Sequence, residues 1–246
     1  MSTSIYASTV RRILGQLRHD NRTIGLLIVV PPLLLTLLYY MFKADNPFLF
    51  QGVARTMLGI FPFVIMFLIT SIAMLRERTT GTLERLLTTP LGKLDLLFGY
   101  GSAFGLAAAV QASIACGVAY VFLDLKTAGS AGLVIVIAVA NAVLGVALGL
   151  LCSAFARTEF QAVQFMPVVV IPQLLLCGLF VDRGHMAGWL QAVSNVLPMT
   201  YSVEALQQVG SFASPTTTMW KDLAIVVGCV VVALTLGAAT LRRRTA

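Results

Sequence analysis

Long apolar stretches separated by short polar segments run through the chain, and apolar and polar residues do not alternate within them. A bilayer core about 30 Å thick needs roughly 20 apolar residues per helix, and six stretches reach that length. The sequence therefore predicts an all-α membrane protein with six transmembrane helices, in which residues 1–246 form a single transmembrane domain. The predicted spans are about 24–42, 57–75, 96–123, 131–155, 161–181 and 223–241.

The first 22 residues carry a different pattern, in which apolar side chains recur at steps of three and four residues. This spacing places them on one face of a helix, and Arg11, Arg12 and Arg18 lie off that face. We expect an interfacial helix that lies in the membrane surface, with a solvated basic tail as the alternative. The apolar positions are Tyr6, Val10, Ile13, Leu14 and Leu17.

Residues 182–222, between the fifth and sixth spans, contain a stretch that is too polar to cross a bilayer. Apolar residues from Trp189 to Leu197 recur at helical spacing, and Pro198 interrupts the pattern. The segment predicts a short amphipathic helix, a stop at Pro198 and a second short helix from about Tyr201. Such a hairpin re-enters or caps the outer leaflet, because non-helical backbone at membrane depth must be shielded by protein.

The composition agrees with a membrane protein, since 58% of the residues are hydrophobic and 11% are charged, against about 25% charged in soluble domains. The Lys and Arg residues also indicate the orientation. With both termini in the cytoplasm, twelve of them lie inside and five outside. This asymmetry accounts for the net charge of +7 without a nucleic-acid partner. The outer five are Lys43, Arg55, Lys126, Arg183 and Lys221.

Seven charged residues fall within the 20 residues 76–95, RERTTGTLERLLTTPLGKLD, between the second and third spans. Leucines recur there at helical spacing, and Glu84 and Arg85 face away from them. Pro90 ends the segment, because proline disfavours helical backbone at the preceding residue. The positive-inside rule explains the basic residues but not the interleaved acids. We therefore expect a cytoplasmic helix that docks on a protein partner. The leucines are Leu83, Leu86 and Leu87.

The residues of a self-contained pump or enzyme are missing from the pattern. Carboxylates and histidines fall in loops or at span edges, whereas proton-coupled transporters place them within the membrane. The sequence has no G-x-x-x-x-G-K-[ST] phosphate loop, and its four cysteines are scattered through apolar stretches, as small packed hydrophobes would be. We expect no catalytic, cofactor or metal site on this chain.

Two features inside the spans bear on helix packing. Glycines four residues apart let helices approach closely, and Gly145 with Gly149, like Gly101 with Gly105, has that spacing. Polar residues within the spans form interhelical hydrogen bonds of about 1 kcal/mol or less each, or line a path for an amphipathic substrate. The candidates for such a path are Thr70, Gln111, Asn141, Gln164 and Gln173.

Two segments resemble shared motifs of type-2 ABC exporter permeases. Residues 76–91, RERTTGTLERLLTTPL, followed by Gly92-Lys93, resemble the pattern E-[RK]-E-x-G-T-x-E-x-L-L-x-[TS]-P, although Arg78 stands where an acid is frequent. Residues 197–208, LPMTYSVEALQQ, resemble the pattern L-P-x-x-[YH]-x-x-E-[AG]-[LFI]. The segments occur in the family's order, and the resemblance covers essentially the whole chain.

The resemblance implies that the chain pairs with a second copy of itself or a paralogous permease, each docked on a separate ATP-binding subunit that holds ATP and Mg. The first segment would contain the coupling helix that contacts this subunit, and residues 188–210 would form the outer gate. The implied coupling residues are Glu77, Gly81, Thr82, Glu84, Arg85, Leu86, Leu87 and Pro90. The implied gate residues are Pro198, Tyr201 and Glu204.

The chain is similar to the daunorubicin-resistance branch of that family, which implies ATP-driven export of amphipathic drugs or lipids across a bacterial cytoplasmic membrane, and with it antibiotic resistance. Export of a lipid-linked glycan and a non-transporting scaffold that anchors an ATPase are left open as alternatives. A membrane enzyme acting on lipids would need a loop cluster of Asp, His or Lys, and the loops carry only isolated acids.

Overall fold

The computed structural model describes residues 3–43, 47–80 and 93–240, and within these ranges the chain is helical and contains no strand. The helices are α1 (Thr3–His19), α2 (Asn21–Lys43), α3 (Pro47–Thr79), α4 (Lys93–Val121), α5 (Ala131–Cys152), α6 (Glu159–Leu176), α7 (Gly188–Ser194), α8 (Pro198–Ser211) and α9 (Thr217–Ala239), with a 3-10 turn at Arg183–His185. Six of them, α2 to α6 and α9, are long and apolar enough to cross a membrane. The prediction of an all-α membrane protein with six spans is confirmed.

Helices α3 and α5 form the centre of the bundle, and 61% of the apolar stretch of each is buried. They approach at backbone distance because α5 presents glycines to α3. A Cβ atom on Gly149 would lie 2.5 Å from the backbone oxygen of Phe67, and one on Gly145 would lie 2.3 Å from that of Phe63. The predicted packing role of Gly145 and Gly149 is therefore confirmed, since a side chain at either position would separate the two helices.

Helices α2 and α6 lie at the periphery, where only 17% of each apolar stretch is buried within the chain. Each helix presents a row of exposed apolar side chains. These surfaces can be covered only by lipid or by another protein, because apolar groups of this size are unfavourable in water. The exposed residues include Leu26, Val29, Leu33 and Leu37 on α2 and Phe160, Val168, Ile171 and Leu175 on α6.

Helix α1 packs along the first half of α4. The side chain of Thr9 lies over Gly99, where a Cβ atom would be 3.0 Å from Thr9 Cγ2. The Tyr6 hydroxyl is hydrogen-bonded to the Ser102 hydroxyl, and Ile13 is only 2% exposed. The apolar face of α1 therefore contacts the bundle itself, in addition to any surface it presents to a membrane.

Two helices extend beyond the predicted spans. Helix α3 runs from Pro47 to Thr79, so Arg55 and Glu77, which were expected in loops, lie on a helix. Helix α9 starts six residues before the predicted span. Asp222, expected at a span edge, therefore lies in the second turn of α9 and is 5% exposed.

The segment between α6 and α9 contains the two short helices predicted there, α7 and α8. Pro198 does not form a separate stop between them, because it is the first residue of α8. The first turn of a helix tolerates proline, since the amide hydrogen that proline lacks would have no intrahelical acceptor there. Helix α6 ends at Leu176, and Gly178 follows with a φ of 92°, a conformation that favours glycine.

We expect Gly149→Ala to destabilise the protein, because the added methyl group would lie 2.2 Å from Thr70 Oγ1 and 2.5 Å from the Phe67 carbonyl oxygen. Overpacking of this kind costs about 1–3 kcal/mol. Thermal unfolding of the purified protein in detergent measures the effect as a lowered Tm.

The matched control is Gly117→Ala, because Gly117 also lies inside a helix and a Cβ atom there would meet nothing within 4 Å. Replacement of an unhindered helical glycine by alanine is expected to keep or raise the Tm. An equal loss of Tm in both variants would contradict close packing of α3 against α5.

Candidate coupling and gate sites

An inner cluster of polar side chains joins α1, α3 and α4 at one end of the bundle. Arg12 Nη1 lies 3.3 Å from Glu77 Oε1, and Arg12 Nη2 donates a hydrogen bond of 2.6 Å to the Tyr100 hydroxyl oxygen. The guanidinium carbon is also 5.7 Å from the centre of the Tyr100 ring. Glu77 is 12% exposed at its side chain and Tyr100 is 1% exposed. This shielded geometry makes the ion pair more favourable than an exposed one.

The inner cluster adjoins the predicted coupling segment on both sides. Glu77 lies in the last turn of α3, and Tyr100 lies in the third turn of α4. Arg12 therefore connects the helix that leads into the segment with the helix that leads out of it. Of the predicted coupling residues, only Glu77 belongs to the described part of the chain. The others, Gly81, Thr82, Glu84, Arg85, Leu86, Leu87 and Pro90, lie outside the described residues.

Further polar contacts fix the same end of the bundle. Arg76 binds Glu159 at the start of α6 through two hydrogen bonds, with Nε 2.7 Å from Oε1 and Nη2 3.2 Å from Oε2. Asp20 accepts hydrogen bonds from the hydroxyl and the backbone N–H of Thr23 in the first turn of α2. The Thr23 hydroxyl, followed by that N–H, holds the pKa of Asp20 below its ordinary value. Asp20 therefore stays ionised at neutral pH.

A groove of about 480 Å³ opens beside the inner cluster, between α1, α2, α3 and α4. Leu26, Ile69 and Phe104 contribute to its apolar wall, and Asp20 and Glu77 contribute to its polar rim. The groove therefore combines apolar surface with charged groups at its edge. This is the lining that an amphipathic molecule requires.

An outer cluster at the opposite end of the bundle is centred on Arg183. Its guanidinium forms an ion pair with Glu204 and donates a second hydrogen bond to the side-chain oxygen of Asn195. The same group lies 5.9 Å from the centre of the Tyr201 ring. The Tyr201 hydroxyl donates to the backbone oxygen of Asn195 at 2.6 Å. The structure thus brings together Tyr201 and Glu204, two of the three predicted gate residues.

The third predicted gate residue, Pro198, lies next to a separate set of hydrogen bonds that anchors α7 and α8 to the end of α6. The backbone N–H of Met199 donates to Gln173 Oε1 at 3.3 Å. The Ser194 hydroxyl donates to the backbone oxygen of Leu176 at 2.9 Å. Ser194 is fully buried and Gln173 is 2% exposed. These bonds hold the hairpin of α7 and α8 against the spans.

Asp222 and Arg55 add two charged groups at the outer end. Asp222 on α9 is 5% exposed, and its Oδ2 atom is buried without a hydrogen-bond partner in the described residues. Arg55 on α3 lies against α8, where a Cβ atom on Gly210 would overlap its guanidinium. Arg55 therefore packs directly on the backbone of α8, whereas Asp222 is a buried carboxylate with one oxygen unpartnered in the described residues.

The predicted substrate-path residues occupy different environments. The Thr70 hydroxyl donates to the backbone oxygen of Met66 on its own helix at 2.7 Å and lies 3.4 Å from that of Val146 on α5, and Asn141 Nδ2 donates to that of Gly59 on α3 at 3.0 Å. These two residues, like Gln173, therefore stabilise helix packing. Gln164 is exposed on α6, whereas Gln111 is 1% exposed with no partner for either amide atom among the described residues.

Three site residues were not predicted from the sequence. Arg12 was placed among the solvated arginines, Arg183 was counted only as an outer charge, and Asp222 was placed at a span edge. Arg12 and Arg183 are identified as site residues by their ion-pair partners in the folded chain, and Asp222 by its burial. In the sequence these residues are simply charges near the ends of predicted spans, like many others.

Comparison with known proteins agrees with this arrangement of helices. A model of the ABC-2 type transporter family matches residues 3–209, which include both polar clusters except Asp222. The chain therefore belongs to the ABC-2 type transporter family, and its six apolar helices make it a multi-pass membrane protein.

Curated relatives match a shorter part of the chain. ABC transporter G family member 20 of Dictyostelium discoideum is 27% identical over 141 residues, which are 57% of this chain and 19% of that protein. The probable multidrug ABC transporter permease YbhR of Escherichia coli is 28% identical over 156 residues, 63% of this chain and 42% of that protein. The probable multidrug ABC transporter permease YbhS of Escherichia coli is 26% identical over 147 residues, which are 59% of this chain and 39% of that protein. The match spans less than half the length of each relative.

We expect Arg183→Gln to loosen the outer hairpin, because the change removes the partner of Glu204, Asn195 and the Tyr201 ring together. Loss of charge-assisted hydrogen bonds costs about 1.5–3 kcal/mol, so amide hydrogen exchange in α7 and the first turn of α8 should accelerate at least tenfold. Exchange followed by mass spectrometry measures this directly.

The matched control is Arg76→Gln, which breaks an ion pair whose side chains are 60% and 53% exposed. Exposed pairs contribute at most about 1 kcal/mol, so exchange at the start of α6 should change by less than about fivefold. If exchange in α7 were unchanged by Arg183→Gln, Arg183 would not hold the hairpin.

Proposed function

We propose that the chain is the transmembrane permease subunit of an ATP-driven exporter, which moves amphipathic drugs or lipids outward across a bacterial cytoplasmic membrane. The energy comes from a separate ATP-binding subunit that holds ATP and Mg. The inner cluster is the observation that carries this proposal. It connects α3 and α4, the two helices that flank the charged segment 76–95, in a chain that belongs to the ABC-2 type transporter family.

The geometry of the inner cluster supports a coupling role. A partner that moved the segment after α3 would act on Glu77 and Tyr100 through the two adjoining helices. Arg12 transmits such a movement to α1, because its two nitrogens bind both residues at 3.3 and 2.6 Å. Arg78 adds a cationic side chain at the same end, whose Nε and Nη2 have no hydrogen-bond partner in the described ranges.

The amphipathic groove and the outer cluster support transport over simple anchoring. A scaffold that only held an ATPase would need the charged segment but neither of these features. The groove adjoins the inner cluster, where an amphipathic molecule from the cytoplasmic leaflet would meet the protein. The hairpin of α7 and α8 covers the other end and is held by a small number of polar contacts. Opening of that hairpin is the step we assign to release.

The orientation and assembly belong to the same proposal. The twelve-to-five distribution of Lys and Arg supports cytoplasmic termini, with the inner cluster on the cytoplasmic side. The exposed apolar faces of α2 and α6 support pairing with a second permease, either another copy of this chain or a paralogue. The names of the relatives YbhR and YbhS, probable multidrug permeases, favour drug export over export of a lipid-linked glycan.

We expect the double exchange Glu84→Arg with Arg85→Glu to abolish export and substrate-stimulated ATP hydrolysis in the assembled transporter, while insertion into the membrane continues. The net charge does not change, but like charges would then face each other at the docking surface, which costs several kcal/mol. Dye efflux from cells and ATPase activity of the purified complex measure the two effects.

The control variant is Arg157→Glu, which changes an exposed cation on the other cytoplasmic loop. It should keep at least about half of the wild-type export, because it lies outside the proposed docking segment. Normal export by the double exchange would contradict the coupling role. Equal loss in both variants would show a general dependence on cytoplasmic charge.

A further inference from the structure

A second groove lies between α1, α2 and α4 and is distinct from the amphipathic groove beside Glu77. Its volume is about 250 Å³, and its walls are almost entirely apolar. Leu14, Leu27 and Leu106 represent the three helices in the lining. Among the described residues, the polar side chains that line it are Arg18 on α1 and Gln111 on α4. A groove with this lining takes an apolar chain that carries polar groups at defined positions.

Arg18 supplies the charge at one end of the groove. It lies next to the last residue of α1 and is exposed. It makes no hydrogen bond or ion pair with any residue that the structure describes. An arginine in this position binds phosphate through a bidentate pair of hydrogen bonds. Because α1 belongs to the inner end of the bundle, the phosphates closest to Arg18 are those of the cytoplasmic leaflet.

Gln111 supplies the second polar contact. It is 1% exposed, and neither Nε2 nor Oε1 has a hydrogen-bond partner within the described ranges. An unpartnered buried amide is costly, so a ligand that satisfies it would bind favourably. Gln111 and Arg18 line the same groove.

We propose that this groove is a binding site for a glycerophospholipid of the cytoplasmic leaflet. The phosphate binds Arg18, an ester carbonyl accepts a hydrogen bond from Gln111 Nε2, and an acyl chain lies between α2 and α4. One such molecule carries a phosphate, an ester carbonyl and an acyl chain, which match the charge, the amide and the apolar wall of the groove. The choice of the cytoplasmic leaflet rests on the proposed orientation of the chain, whereas binding of the lipid is measured independently of export.

A neighbouring groove provides an internal control. It lies on the other side of α1, has a volume of about 730 Å³ and is also apolar, with Arg11 at its lining. Arg11 is exposed and unpaired in the described structure, as Arg18 is. The two arginines therefore attract an anionic membrane equally. Of these two grooves, the Arg18 groove alone contains a buried amide that is unpartnered in the described residues. We therefore expect Arg18, and not Arg11, to contribute to selective binding of one phospholipid.

The test is a titration of the delipidated full-length chain with three lipids, followed by native mass spectrometry. The lipids are ester-linked phosphatidylglycerol, its ether-linked analogue, which lacks the carbonyls, and diacylglycerol, which lacks the phosphate. For the wild type we expect one tightly bound ester-linked phosphatidylglycerol per chain, with a Kd about tenfold lower than that of either other lipid.

Each variant should remove one preference. Arg18→Gln should bring the Kd of phosphatidylglycerol to that of diacylglycerol, while the ester–ether difference persists. Gln111→Leu should abolish the ester–ether difference and keep the preference for phosphate. Arg11→Gln should keep both differences within about twofold.

Three results would overturn the proposal: no ester–ether difference in the wild type, equal effects of Arg11→Gln and Arg18→Gln, or binding of diacylglycerol as tight as that of phosphatidylglycerol. If Gln111→Leu did not fold, the wild-type lipid comparison and the two arginine variants would still decide the question. If all three lipid results were as expected but the protein did not export, the proposed function would be contradicted and the lipid site would stand.

Discussion

The contact between α3 and α5 is the constraint on which the remaining structure depends. Gly145 and Gly149 allow the backbone of α5 to lie directly against that of α3, at distances that exclude any Cβ atom. In lipid, helices gain no hydrophobic energy from association, so close packing and hydrogen bonds must hold them together. The hydroxyl of Thr70 on α3 and the side-chain amide of Asn141 on α5 each reach a backbone oxygen of the other helix. The other spans pack around this pair.

Helix α3 also relates the two polar clusters to each other. Its last turn carries Glu77 of the inner cluster, and near its other end Arg55 packs against α8, which carries Glu204 of the outer cluster. A continuous helix that reaches both sites is a physical means of coupling a movement at one end to the hairpin at the other. The peripheral helices α2 and α6 are loosely held within the chain, so they are free to contact a partner or lipid without disturbing that core.

The sequence predicts the fold well because continuous apolar runs and glycine spacing are local signals of span number and close packing. It also predicts that Tyr201 and Glu204 belong to one site, because a motif places them on one helix. The partners of these residues are not predictable in this way. Arg12 and Arg183 act across helices that are distant in sequence, and their neighbours there look like ordinary solvated charges. Asp222 is recognised only when α9 is seen to begin at Thr217.

The central claim is that this membrane domain is driven by a separate ATP-binding protein at its inner end. The most direct measurement is purification of the tagged chain in mild detergent from its native host, with quantitative mass spectrometry of everything that remains bound. The account predicts an ATP-hydrolysing soluble subunit in roughly equimolar amount. This subunit should also form chemical cross-links to the segment between α3 and α4. A well-folded chain that is purified without any ATP-binding protein would contradict it.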